Sequence, residues 1–408
     1  MTQRVMWMMI LAYGSLMGCT TPVSYAPSNT PTAVEPVATK AKLKSLGLQY
    51  YWKGKVPLQP AEIITKMWAV DDLIYFLTNQ RNLYAFNARV GVPMWAVNVT
   101  SKPEPIYAPT HYRGMQLTKE VGGVKEIQTP PSPEKIKSID ATLINTATRV
   151  VVIDGKGKVW RDFSYRNFSA GAKAATNGWN IYVPTPTKLA YCVRLNEAVT
   201  CWWRSINGGE MIKAPMIVYD KNVFIGTMDG TVKLMDTETG GHTWRKTLPG
   251  TIDTPFHVDG RGIFVACGDR NIHGLNFSGV ALWYPCTFDS EFVGPMRATD
   301  RSLLQRTLGE GLCCVNVTTG KLRWSNTKLV KPVALIEGKM FCLDTAGNIQ
   351  AINEITGKAT ITIPATGFDF VGTNLRAKSI YGATSNGIVY CIRHEDAGIL
   401  TSEEFQRQ

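Results

Sequence analysis

A unit of about forty residues recurs eight times along this chain, and nothing else in the sequence restricts its fold as sharply. The unit starting at Ile74 reads IYFLTNQRNLYAFNARVGVPMW, and its echoes begin at Leu143, Ile181, Val223, Ile263, Leu303, Met340 and Ile380. Successive starts lie 69, 38, 42, 40, 40, 37 and 40 residues apart, so one gap is enlarged and the rest are near-regular. Each unit is an apolar strand, a polar turn with Gly, Asn or Asp, a second alternating strand, then a turn and a closing aromatic. Several short strands per forty-residue repeat are the pattern of a propeller blade. The expected fold is therefore all-β: an eight-bladed β-propeller of four-stranded antiparallel blades.

The closing aromatics are Trp95, Trp160, Trp203, Trp244, Trp283 and Trp324, with glycine four residues before the end at Gly91, Gly240, Gly279, Gly320 and Gly357. A tight turn there favours a residue that tolerates positive φ. The indole that follows is large enough to wedge between neighbouring blades. The seventh unit carries Ile361 in place of Trp, and the eighth ends before its last strand. Upstream of the first unit, LQYYWKGKVP (48–57) is strand-like and includes Trp52. It is expected to supply the missing outer strand of blade eight and so close the ring, which removes exposed sheet edges.

The repeat also orders the cysteines. Alignment puts Ala85, Val152, Cys192, Leu234, Gly274, Cys314, Ala351 and Cys391 in one register, where cysteine acts as a small hydrophobe. Cys313 neighbours Cys314 in a pleated strand and so faces the other way. Cys192 and Cys201 flank a hairpin, which permits either a cross-strand disulfide in an oxidising compartment or two buried thiols. The five histidines show neither HxxxH nor paired CxxC spacing, and carboxylates fall mostly in turns, so no active site, metal or cofactor is expected.

Charged residues make up only 19% of the chain against 44% hydrophobic, as in a folded globular protein. The net charge of +12 is dispersed without a long Lys/Arg run, which argues against nucleic acid as a partner. At the N-terminus, Arg4 precedes an apolar run from Val5 to Met17, too short to span a bilayer comfortably. The expected layout is a signal peptide over 1–18, a Pro/Thr/Ser-rich tether over 19–45, a propeller over 46–400 with an insertion at 100–140, and a tail over 401–408.

The segment LMGC resembles a bacterial lipobox, which implies lipidation of Cys19; Thr20 in the next position implies sorting to the outer membrane. Units such as TTGKLRW and TETGGHTW resemble the pyrroloquinoline-quinone-type propeller repeat over roughly residues 46–395. One branch of that group, the quinoprotein dehydrogenases, holds a quinone and calcium, in some members above a vicinal disulfide. The lipobox, tether, eight repeats and Trp-bearing closing strand resemble instead the BamB family, whose members bind no cofactor. This resemblance implies a lipid-anchored periplasmic scaffold that binds the barrel-forming component of the outer-membrane assembly machinery. The family docks through interblade loops, which correspond here to INGGEMIKAP (206–215) and GTIDTP (250–255). Ile206, Met211 and Asp253 are the implied contacts. A scaffold of another envelope or secretion system, and less readily a quinone-dependent dehydrogenase, are the alternatives.

Overall fold

The computed structural model describes residues 39–118, 136–206 and 211–397. Cys19, the segment 1–18, the tail 401–408 and part of the enlarged gap lie outside these residues. Among the described residues, strands form eight four-stranded antiparallel sheets with a single five-residue helix. Blade five is typical: His257–Asp259, Gly262–Cys267, Asn271–Leu275 and Cys286–Thr287 pair in sequence order. The first strands of neighbouring blades approach one another, as His257–Asp259 does Ile217–Tyr219 and Phe292–Ala298, so first strands line the axis.

The second strand of each blade explains how the sheets stack. In Gly262–Cys267 every residue is buried, because both faces meet a neighbour. Ile263 and Val265 join Phe224 and Leu234 of blade four, while Phe264 and Ala266 join Leu303 and Val315 of blade six. Period-two alternation therefore sorts side chains between two interfaces rather than between core and solvent. Among the described residues eight such clusters occur, each between adjacent blades. The one joining blades eight and one brings Tyr381 and Cys391 against Ile74 and Phe86, so the circle is closed.

Closure comes from the chain's beginning. Leu48–Lys55 pairs antiparallel with Ile388–His394, from Leu48 opposite His394 to Lys55 opposite Ile388. Trp52 then reaches blade one, where its Nε1 donates to the Ala88 carbonyl at 3.1 Å. A Cβ on Gly91 would lie 2.3 Å from this indole, so the ring lies flat on the glycine. The same device recurs with Trp202 on Gly240, Trp244 on Gly279, Trp283 on Gly320 and Trp324 on Gly357. Each indole donates to a carbonyl of the next blade, at Thr237, Phe277, Val317 and Glu354. These glycines thus combine positive φ (64–77°) with close approach by an indole.

Trp203 and Trp160 depart from the expectation, and Trp95 wedges between blades as expected but without the glycine stack. The wedge of blade three is Trp202, 5% exposed, whereas Trp203 is 56% exposed. Trp202 pairs opposite Cys192 just as Trp244 pairs opposite Leu234 and Trp324 opposite Cys314, and positive-φ Ala198 lies four residues before it as Gly240 and Gly320 do before theirs, so Trp202 and not Trp203 holds the wedge register. Trp160 donates to Asp154 of its own blade at 2.9 Å, under the Lys158 ammonium. Trp95 is buried against Tyr75 in the cluster between blades one and two, without an acceptor for its Nε1.

Two boundaries also shift. Lys40–Lys44 is helical, with Thr39 as N-cap and Leu43 buried in the cluster between blades seven and eight, so the last part of the expected tether is docked on the ring. Within the enlarged gap, Thr110–Thr118 pairs with Ile136–Asn145 from Thr110 opposite Leu143 out to Thr118 opposite Ile136. The expected insertion at 100–140 thus includes blade two's own first strand, lengthened into a hairpin.

Candidate docking rim and the polar hairpins beneath it

The loop from Gly250 to Pro255 joins blade four to blade five and is stitched to both. Ile252 N–H donates to Thr227 at 3.0 Å, and the side chain is buried between the two blades. Gly268 N–H donates to the Thr251 carbonyl at 2.8 Å, and the Thr254 hydroxyl to the Ala266 carbonyl at 3.3 Å. A Cβ on Gly250 would sit 2.1 Å from the Asp269 nitrogen, so the loop can pack this closely only with glycine there. Asp253 is left exposed at the crest. A carboxylate on so constrained a backbone loses little entropy on meeting a partner.

The preceding interblade loop is built differently from its expectation. Ile206 is fully buried between blades three and four, with its N–H on the Lys188 carbonyl. Val99, Tyr165, Leu248 and Phe288 make the corresponding buried plug and backbone bond to Arg81, Thr148, Gly230 and Arg270. Ile206 is therefore a plug common to the repeat and is not available as a surface contact. Met211 is 42% exposed and hydrogen-bonds through its carbonyl to Met228. Residues 207–210 lie outside the described residues.

Beneath the rim, the turn between second and third strands carries a polar cluster in every blade. Thr185, Thr227, Thr307 and Thr384 each donate to the carbonyl four residues on, closing the hairpin. In blade one, Glu62 is buried and accepts bonds from Thr78, Asn82, Tyr84 and the Gln59 N–H. Burial pushes its carboxyl up, but the four donors outweigh this and hold it below its ordinary value. In blade five the threonine position is Cys267, whose thiol points at the Gly250 carbonyl, 3.0 Å away. Burial raises this thiol to about 11. Asp269 and His273 stand beside it, 2.8 Å apart. Sequence reasoning sought only HxxxH and CxxC and passed over the C-x-D-x-x-x-H spacing that marks this hairpin.

Cys313 lies in the cluster with blade five and Cys314 in that with blade seven, so the vicinal pair offers no floor for a quinone. Near the axis, Lys173, Arg297 and Lys331 are each pushed down by burial, with Arg297 further lowering both lysines; Lys173 falls to about 8. Cys192 and Cys201 are free thiols that interact directly. Cys192 is driven up by its bond to Cys201 and by burial, and Cys201 is lowered to about 7 by that same bond.

A PQQ-repeat family model described as "Outer membrane protein assembly factor BamB" matches residues 146–288. The curated outer membrane protein assembly factor BamB of Burkholderia pseudomallei (strain K96243) is 24% identical over 183 residues, 42% of this chain. That match spans about half of the relative's length, 48%. The crystal structure of BamB from Moraxella catarrhalis superposes with a TM-score of 0.61 at 16% identity, covering 86% of this chain and 99% of that one. The computationally designed Ika8 protein superposes with a TM-score of 0.58 at 11% identity, covering 83% and 98%. A designed ring fits nearly as well as a natural one, so superposition speaks for architecture alone and the kinship rests on the sequence matches. The chain is a BamB-like, PQQ-repeat β-propeller.

Proposed function

We propose that this protein is a non-catalytic scaffold that assists assembly and insertion of β-barrel proteins into the outer membrane. It acts at the periplasmic face, anchored by lipid on Cys19, and binds the barrel-forming component of the assembly machinery. The kinship with proteins named as outer membrane assembly factors supports the setting. The observation that carries the docking mode is the 250–255 loop, pinned to two blades with Asp253 presented to solvent. Met211 adds an adaptable apolar contact on the neighbouring loop. The juxtaposed Cys192 and Cys201 support, as a further part of this reading, a cross-strand disulfide formed in an oxidising periplasm.

A photo-cross-linking residue at position 253 or 211 in whole cells tests the docking mode. Adducts with the barrel-forming component are expected, and Asp253→Arg is expected to cut binding by about tenfold through charge reversal at the rim. Adducts with a different envelope assembly would move the protein to another machinery. Separately, Cys19→Ser is expected to release the protein from membranes, as read by fractionation.

A further inference from the structure

The hairpin of blade five differs from its seven counterparts in donor chemistry. At the last position of the second strand or just beyond it, the other blades carry Thr78, Thr146, Thr185, Thr227, Thr307, Asp344 and Thr384. Blade five carries Cys267, so the fold does not require a thiol here. Cys267 pairs with Asn271 and Val265 with His273, which brings the cysteine and histidine out on one face of the hairpin. Asp269 closes over that face: one carboxylate oxygen lies 2.8 Å from His273 Nε2, and the other is held by the Asn271 N–H at 3.0 Å. One donor atom from each of Cys267, Asp269 and His273 lies within 4.8 Å of the other two. Cys267 is 1% exposed and His273 8%, and the Asp269 side chain is largely covered, so the three donors are sheltered from solvent.

We propose that Cys267, Asp269 and His273 bind one zinc-class divalent cation beneath the 250–255 loop, with water as fourth ligand. Sulfur, nitrogen and oxygen together are the donor set of zinc and its neighbours, whereas calcium and magnesium take oxygen alone. Zinc bond lengths place tetrahedral ligand atoms about 3.3–3.6 Å apart. The Asp269–His273 pair must therefore open by about 0.5 Å and the thiol swing inward by about 1 Å, which side-chain rotation supplies. No redox change is involved: the thiol loses its proton to solvent as the metal–sulfur bond forms. The site lies directly beneath the loop that carries Asp253, since Gly268 N–H binds the Thr251 carbonyl, and metal binding exchanges the thiol's contact with the Gly250 carbonyl for the metal–sulfur bond. The site stands independently of the scaffold reading.

Chelator-stripped full-length protein, titrated with cobalt(II) and then zinc(II), tests this. The expected result is one equivalent of cobalt with a sulfur-to-cobalt charge-transfer band, abolished by zinc, and a Tm that rises with zinc. Cys267→Thr inserts the residue that six other blades use at this position, so its fold should persist by circular dichroism while the band and the Tm rise vanish. His273→Gln should weaken cobalt binding at least tenfold, and Cys201→Ser should leave the band intact. Absence of the band in the wild-type protein, or its survival in Cys267→Thr, would overturn the assignment and leave Asp269–His273 as a plain hydrogen-bonded pair.

Discussion

At the scale of single residues, neighbours in sequence differ sharply in consequence. Trp202 is buried, stacks on Gly240 and donates to Thr237, whereas adjacent Trp203 stands in solvent. Trp202→Ala should therefore cost about 3–5 kcal/mol, as large-to-small core changes do. Trp203→Ala should stay within about 0.5 kcal/mol. Urea unfolding of the two variants checks the contrast, and equal effects would mean that Trp202 is not the wedge of blade three. Glu62 gives a pH signature. Its carboxyl is held below the ordinary value in the folded protein, so its contribution to stability is complete above about pH 4.5 and is lost as pH falls through the folded value. Glu62→Gln should lower the urea midpoint at neutral pH and flatten its decline on acidification. A decline as steep as that of the wild type would remove Glu62 from the cause.

At the scale of elements, the strand Leu48–Lys55 matters more than its length suggests. It is sequence-distant from every strand of blade eight yet supplies that sheet's outer edge, and its Trp52 is the only one of the five stacking indoles to join the two ends of the chain. Trp52→Ala should cost about 3 kcal/mol. It should also make residues 48–55 the first site of limited proteolysis, because the Gly91 stack and the bond to Ala88 are lost and only the packing of Gly54 and Tyr51 still holds the strand to blade one. Cleavage appearing first in the 110–145 hairpin instead would show that closure is secured elsewhere. That hairpin was legible from sequence only as an enlarged gap, since a 69-residue spacing says how much chain is extra and not that it extends a ladder already present.

At the scale of the whole molecule, eight inter-blade clusters and a closed seam make the ring a stiff support whose variable parts are the loops. Stiffness suits a docking platform: the 250–255 loop is held at both flanks, so a partner meets Asp253 without ordering it first. The candidate surface was only partly readable. Asp253 is exposed and Ile206 is not, because Ile206 occupies the plug position that Val99, Leu248 and Phe288 fill in other blades. Aligning the repeat through to that position would have revealed the plug.

By itself the sequence determined the architecture. Blade number, strand order and circular closure all follow from a forty-residue apolar rhythm and a displaced Trp-bearing strand, because each blade can bury its two faces only against neighbours like itself. Tertiary structure alone decided which side chains meet across sequence. The pairing register put Trp202 rather than Trp203 opposite Cys192, and the interblade packing made Ile206 a buried plug rather than a surface contact. Likewise the hairpin of blade five drew Cys267, Asp269 and His273 together under a loop from the preceding connection. Periodicity assigns a residue to a face, whereas the distances that make chemistry depend on which strands, turns and loops are brought opposite one another.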